Sequence, residues 1–134
     1  MSSITLPSNI TTNVLVSPTN LENSVANRLL QVPVNPSALN LWDKSFILVT
    51  SFIFCNKIQQ NLEVNAKIVN GVTSAKLLHN ILVPPGTAFE VIDGNKFILK
   101  EGDELFVWHN SNTSGVLDVV LSYTLHNPLT PYEV

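Results

Sequence analysis

The chain has 134 residues, 45% of them hydrophobic and 13% charged, with a net charge of −3; such a chain makes one folded domain around a single core and is not a disordered segment. Its seven Lys and Arg residues are scattered, which leaves no basic stripe to neutralise several phosphates and argues against nucleic-acid binding. A surface this poor in charge is either uncharged polar or covered by other subunits, which speaks for assembly.

Met1-Ser2-Ser3-Ile4-Thr5-Leu6-Pro7 lacks the basic start and unbroken apolar core of a secretory signal. Residues 1–44 are rich in Ser, Thr, Asn and Pro and contain no glycine, the composition of an extended arm. Within them, 11–16 has strand character. Leu21, Val25 and Leu29 stand at i, i+4 and i+8 and suit a short helix behind Ser17-Pro18, whereas 28–32 suits an edge strand ended by Pro33, since proline cannot donate to a ladder. Both readings stay open.

From Lys44 onward, short β-prone runs recur with turn residues between them, the rhythm of a sandwich or barrel. Phe46 to Cys55 is apolar on both alternating faces, with Phe46, Leu48, Phe52 and Phe54 set against Ile47, Val49 and Ile53. That pattern predicts a central strand covered on both sides, by a layer or by a subunit. It is too short to cross a bilayer and is broken by Thr50 and Ser51. Cys55, the single cysteine, reads as a small buried hydrophobe.

Residues 62–69 alternate cleanly, and Asn70-Gly71 then turns the chain into a strand over 75–83 that ends at Pro84-Pro85-Gly86. The runs 89–92 and 96–99 flank Asp93-Gly94, the residue pair of a tight hairpin. Lys100-Glu101-Gly102-Asp103 turns again into 104–109, and residues 110–115 form a polar loop. Leu117, Val119, Leu121, Tyr123 and Leu125 then share one face of the last strand, before a proline-containing tail from His126 to Val134 that is expected to be extended and bound by a partner.

The segments Leu82-Val83-Pro84-Pro85-Gly86-Thr87, Phe89-Glu90-Val91-Ile92-Asp93-Gly94, Leu99-Lys100-Glu101-Gly102-Asp103 and Val116-Leu117-Asp118-Val119-Val120-Leu121-Ser122-Tyr123 together resemble a family of small phage β-sandwich proteins. The resemblance covers residues 45–125 and rests mainly on turn chemistry. It implies a virion component, either a capsid cement or decoration protein or a neck or tail accessory, in a family whose members are often trimers. The arm before residue 45 has no counterpart in the resemblance.

Each marked turn has a structural explanation: Pro85, Gly86, Gly94 and Gly102 supply backbone geometry, and Asp93 and Asp103 supply local hydrogen bonds. His79, His109 and His126 lack the close spacing of a zinc motif. Glu101, Asp103 and Glu104 cluster on one turn with no second acidic cluster near in sequence, which suits turn solvation better than acid–base catalysis. Asp93 with Asp103 lacks the alternating acidic spacing of a calcium loop, and neither a nucleophile elbow nor a phosphate loop is present. The sequons at Asn9 and Asn112 matter only in a eukaryotic secretory setting.

Trp42, Trp108 and Tyr123 are the aromatics that would make a sugar platform, although aromatics in strands more often belong to a core or an interface. Phe46, Phe52, Phe54, Trp42 and Trp108 are the candidate interface residues. The expectation is therefore an all-β, antiparallel, jelly-roll-like β-sandwich over residues 45–134, with an extended N-terminal arm over 1–44. It would act without catalysis or cofactor as a virion structural protein, assembling with capsid or tail subunits and with copies of itself. The alternative is a carbohydrate-binding module of a host-recognition device.

Overall fold

The computed structural model describes residues 26–34, 44–92, 97–113 and 115–126 in full and residues 10–17 as backbone. Nine strands make up the described secondary structure: β1 Ile10–Ser17, β2 Asn27–Gln31, β3 Phe46–Asn56, β4 Leu62–Asn70, β5 Thr73–Val83, β6 Ala88–Glu90, β7 Phe97–Lys100, β8 Glu104–His109 and β9 Leu117–His126. They form two antiparallel sheets. One has the order β1-β9-β3 with β6 and β7 both on the far side of β3, and the other has the order β2-β8-β4-β5.

β6 pairs with Ile53 to Cys55 and β7 with Phe46 to Val49, so the two are successive pieces of one interrupted edge strand. Counted that way there are eight strands, of which first, last, third and sixth pair in one sheet and second, seventh, fourth and fifth in the other. That order is a jelly roll. The expected hairpin between 89–92 and 96–99 is corrected, because both pieces spend their ladder bonds on β3 and do not pair with each other. Asp93 and Gly94 lie outside the described residues.

The segment expected as an arm with a possible edge strand contains two strands. β1 pairs with β9 through eight consecutive residue pairs and β2 pairs with β8, so 10–17 and 27–31 are edge strands of the two sheets. Leu29 belongs to β2, and the other two residues of the helical reading, Leu21 and Val25, lie outside the described residues.

The two-sided apolar pattern of β3 has a different cause from the one expected. Val49 pairs with Tyr123 and Ser51 with Ser122, which leaves Thr50 as an extra residue whose hydroxyl donates to the Ser122 carbonyl at 3.2 Å. Such a bulge reverses the inward parity of the strand. Ile47 and Val49 face the core before it, and Phe52 and Phe54 after it. Phe52 and Phe54, expected at an interface, are thus wholly buried inside the chain with their rings 5.0 Å apart. Burying each ring contributes about 2–3 kcal/mol. Cys55 points outward and is half-buried, a correction of the same origin.

The core is one cluster drawn from both sheets, with Ile47, Phe52, Leu99 and Leu121 on one side and Val64, Leu78, Leu105 and Val107 on the other. β5 carries two register shifts against β4 and places Asn80 at φ 51°. Asparagine tolerates that region, and the buried Asn65 side-chain oxygen accepts the Asn80 N–H at 2.8 Å. The β4–β5 turn forms where expected, with Gly71 at φ 61°.

Candidate functional site

The loops of the sandwich gather at two ends, and each end has its own chemistry. At the first, Asn56 is fully buried. Its amide nitrogen donates to the Gln60 and Val83 carbonyls at 2.7 and 2.9 Å, and its side-chain oxygen accepts the Ile58 N–H at 3.0 Å. Asn56 N–H donates to Thr87 O and Lys57 N–H to Val116 O. Asn56 therefore ties the 57–61 loop to the end of β5 and the loop after it, and Lys57 beside it ties the same loop to the one after β8.

Beside it lies a cleft of about 330 Å³, lined by Gln60, Asn61, Asn110, Ser111, Asn112 and Thr113 over Ile58 and Leu62. His109, fully buried, accepts the Ser111 N–H on Nδ1 at 3.1 Å. That bond leaves the ring proton on Nε2, which meets no hydrogen-bond partner among the described residues. Desolvation by burial holds the His109 pKa below its ordinary value of 6.5.

At the second end, Gly102 takes φ 85° and Asp103 is 6% exposed. One Asp103 carboxylate oxygen accepts the Lys100 N–H and the other the Asn70 amide, both at 2.8 Å. Val32 exchanges backbone bonds with this turn, donating to Asp103 O and accepting from Gly102 N–H. With both carboxylate oxygens engaged, Asp103 works as a knot between β4, the β7–β8 turn and the segment after β2. Its supposed calcium partner, Asp93, lies outside the described residues.

Next to this knot opens a cleft of about 720 Å³, lined by Lys44, Ser45, Phe46, Asn70, Ile98, Lys100 and Glu101. Phe46 is 37% and Ile98 62% exposed, and Phe46 lies against the His126 ring with centroids 4.9 Å apart. Glu101 accepts the Ser45 N–H at 3.3 Å. The ammonium groups of Lys44 and Lys100 make no ion pair among the described residues. The sequence marked Phe46 but not the cleft around it, which takes residues from three stretches of chain.

The aromatics expected to act together are separated. Trp108 is half-buried on the outer face of β8, where Lys67 Nζ lies 5.6 Å from the centroids of both Trp108 and Phe106. Tyr123 packs on the core side of the other sheet, and Trp42 lies outside the described residues. Pro85 and Gly86 form the exposed turn after β5, where Thr87 bonds back to Pro84 O. Glu104 pairs with Arg28 at 2.9 Å on the surface, and Lys76 Nζ lies 2.8 Å from His79 Nδ1. Among the described residues no group of three His, Cys, Asp or Glu side chains converges as a metal site, and no helix is long and apolar enough to cross a membrane.

No protein-family model matches the chain, and no curated protein sequence matches it. Solved structures do. A chain in the crystal structure of the T13 viral particle of infectious bursal disease virus aligns with a TM-score of 0.53 and 10% identity, over 96% of this chain and 37% of that one. The likeness is one of fold. Structures of the Gx strain and of a VP2 subviral particle of the same virus align with TM-scores of 0.42 and 0.41 and identities of 13% and 12%. They cover 98% and 93% of this chain and 39% and 36% of theirs. The chain thus spans little more than a third of those chains, and its all-β jelly-roll fold is found in a viral particle.

Proposed function

We propose that the chain is a structural protein of a virus particle, working through subunit contacts and not through catalysis. The observation that carries this reading is the jelly-roll strand order, which aligns over 96% of the chain with a chain of a viral particle. The low charge and the exposed Phe46 and Ile98 at one end support protein partners. Within that class we favour a bacteriophage capsid cement or decoration protein, self-associated as a trimer, because the turn segments over residues 45–125 resemble that family. A neck or tail accessory is the neighbouring choice.

The test is to purify particles from cells that make the protein and assay them by mass spectrometry, then compare heat resistance with particles lacking it. Its presence at fixed stoichiometry and a lowered disruption temperature in its absence are expected; a protein found only outside particles overturns the reading. The polar cleft beside Asn110 favours one second reading, recognition of a sugar by uncharged amides and hydroxyls. Saturable binding on a glycan array, lost in Asn110→Ala, would establish it. Trp108 is a poor sugar platform, since Lys67 already occupies its ring.

A further inference from the structure

The outer face of the β2-β8-β4-β5 sheet carries side chains that the core does not use. Along β4, Val64 and Ala66 are wholly buried in the core, so Asn65 and Lys67 leave the strand on the other side. Across the ladders Asn65 stands opposite Trp108, and Lys67 stands between Phe106 on β8 and Lys76 on β5. His79 joins them, its Nδ1 2.8 Å from Lys76 Nζ.

Two cations opposite each other in register repel and cost stability. No carboxylate relieves these two, because the ion pairs among the described residues are Arg28–Glu104 and Lys57–Asp118. Arg28 thus engages Glu104, and Glu63, on the same face, stands opposite Leu82 toward the far end of β4. What holds Lys67 is aromatic. Its Nζ lies 5.6 Å from the centroids of both Phe106 and Trp108, which places the ammonium without neutralising it. Lys76 donates to a ring nitrogen of His79, which orients it and leaves its charge.

Asn65 adds an independent sign. It is 3% exposed, and its side-chain oxygen accepts the Asn80 N–H at 2.8 Å. That bond fixes which end of the amide is oxygen, and it leaves the amide nitrogen on the outer face without an acceptor among the described residues. The Trp108 indole N–H, on the residue opposite, has none among them either. The middle of the face therefore gathers two ammonium groups and two neutral donors, and no free anion.

We propose that this face binds the acidic group, a sulfate or a carboxylate, of a charged saccharide, with Lys67 and Lys76 on the anion and the Asn65 amide donating beside them. The number of charges decides the class. Two ammonium groups match one or two acidic groups on a sugar, whereas a nucleic-acid strand needs a stripe of cations that the scattered Lys and Arg residues do not form. The Asn65 and Trp108 donors suit the hydroxyl and ring oxygens next to the acid. The site shares no residue with the polar cleft beside Asn110 and does not rest on the virion reading.

Isothermal titration calorimetry on the full chain tests it. The ligands are a sulfated, uronate-containing disaccharide, its neutral counterpart, inorganic sulfate and a short single-stranded oligonucleotide. The acidic disaccharide binds saturably at one-to-one stoichiometry, and the neutral sugar and free sulfate bind at least about tenfold more weakly. Lys76→Gln weakens binding at least about tenfold, the loss of one charge-assisted hydrogen bond. Lys100→Gln, which removes the same charge from the other sheet, leaves it unchanged. Asn65→Asp keeps an acceptor for the Asn80 N–H but removes the donor, and it too weakens binding. Lys76 is exposed, so its variant carries the test if circular dichroism shows Asn65→Asp unfolded.

Absence of saturable binding at millimolar disaccharide overturns the proposal, as does equal weakening by Lys100→Gln, which assigns the effect to net charge. Free sulfate bound as tightly as the disaccharide overturns the saccharide, and an oligonucleotide bound more tightly overturns it in favour of nucleic acid. The presence of the protein in particles is read separately, so the virion reading stands or falls on its own.

Discussion

The two ends of the sandwich solve the same problem differently. Loop backbone leaving a sheet needs hydrogen-bond partners. At the first end the buried Asn56 supplies three of them through its side chain and holds the 57–61 loop to the end of β5. At the second, Asp103 satisfies one turn and Asn70 but leaves an apolar cleft open beside them. A buried amide closes an end, whereas a carboxylate at a turn braces it and leaves room for a partner.

Asn56→Leu breaks the closed end most severely. It strands two carbonyls and an N–H in a buried place, and about 3 kcal/mol of stability is lost; urea denaturation measures it, and a loss below about 1 kcal/mol would show that water replaces the amide. Asp103→Ala at the open end costs less, about 2 kcal/mol, since the freed Lys100 N–H lies closer to solvent. The same titration reads it.

His109 adds a pH dependence to the closed end. Its folded pKa lies below 6.5, so the unfolded chain binds more protons in the window from 6.5 downward to the folded value. Stability from this group is complete above 6.5 and falls as pH drops through that window, by at most ~1.4 kcal/mol per pH unit. Midpoints measured between pH 7.5 and 5 should decline in the wild type and flatten in His109→Phe. An equal slope in both assigns it to other groups.

Ile98→Ser sharpens the comparison from the other side. It removes an exposed side chain of the open end, and the denaturation midpoint should move by no more than about 0.5 kcal/mol. A larger loss would mean that the cleft is already part of the folded core.

Local pattern made much of this legible. The alternation in 62–69 and 117–125, the Asn70-Gly71 turn and the Gly102-Asp103 turn all stand where the sequence places them, because strand periodicity and positive-φ turns depend on neighbours in the chain. Strand character was readable in 11–16 and 28–32, but composition also suited an arm. The candidate site was readable only at Phe46, since an exposed cleft is defined by what lies across it.

The sequence by itself determined that the chain is all-β, where most of its strands turn, and which residues of the clean strands face inward. Only the tertiary structure decided that 88–90 and 97–100 share β3 in place of each other, and that β1 and β2 close the two sheets. It alone showed that Thr50 flips the parity of β3, sending Phe52 and Phe54 into the core and leaving Phe46 and Cys55 outside. The physical reason is that ladder bonds join residues far apart in the chain, and a bulge is visible only against the strand it is out of step with.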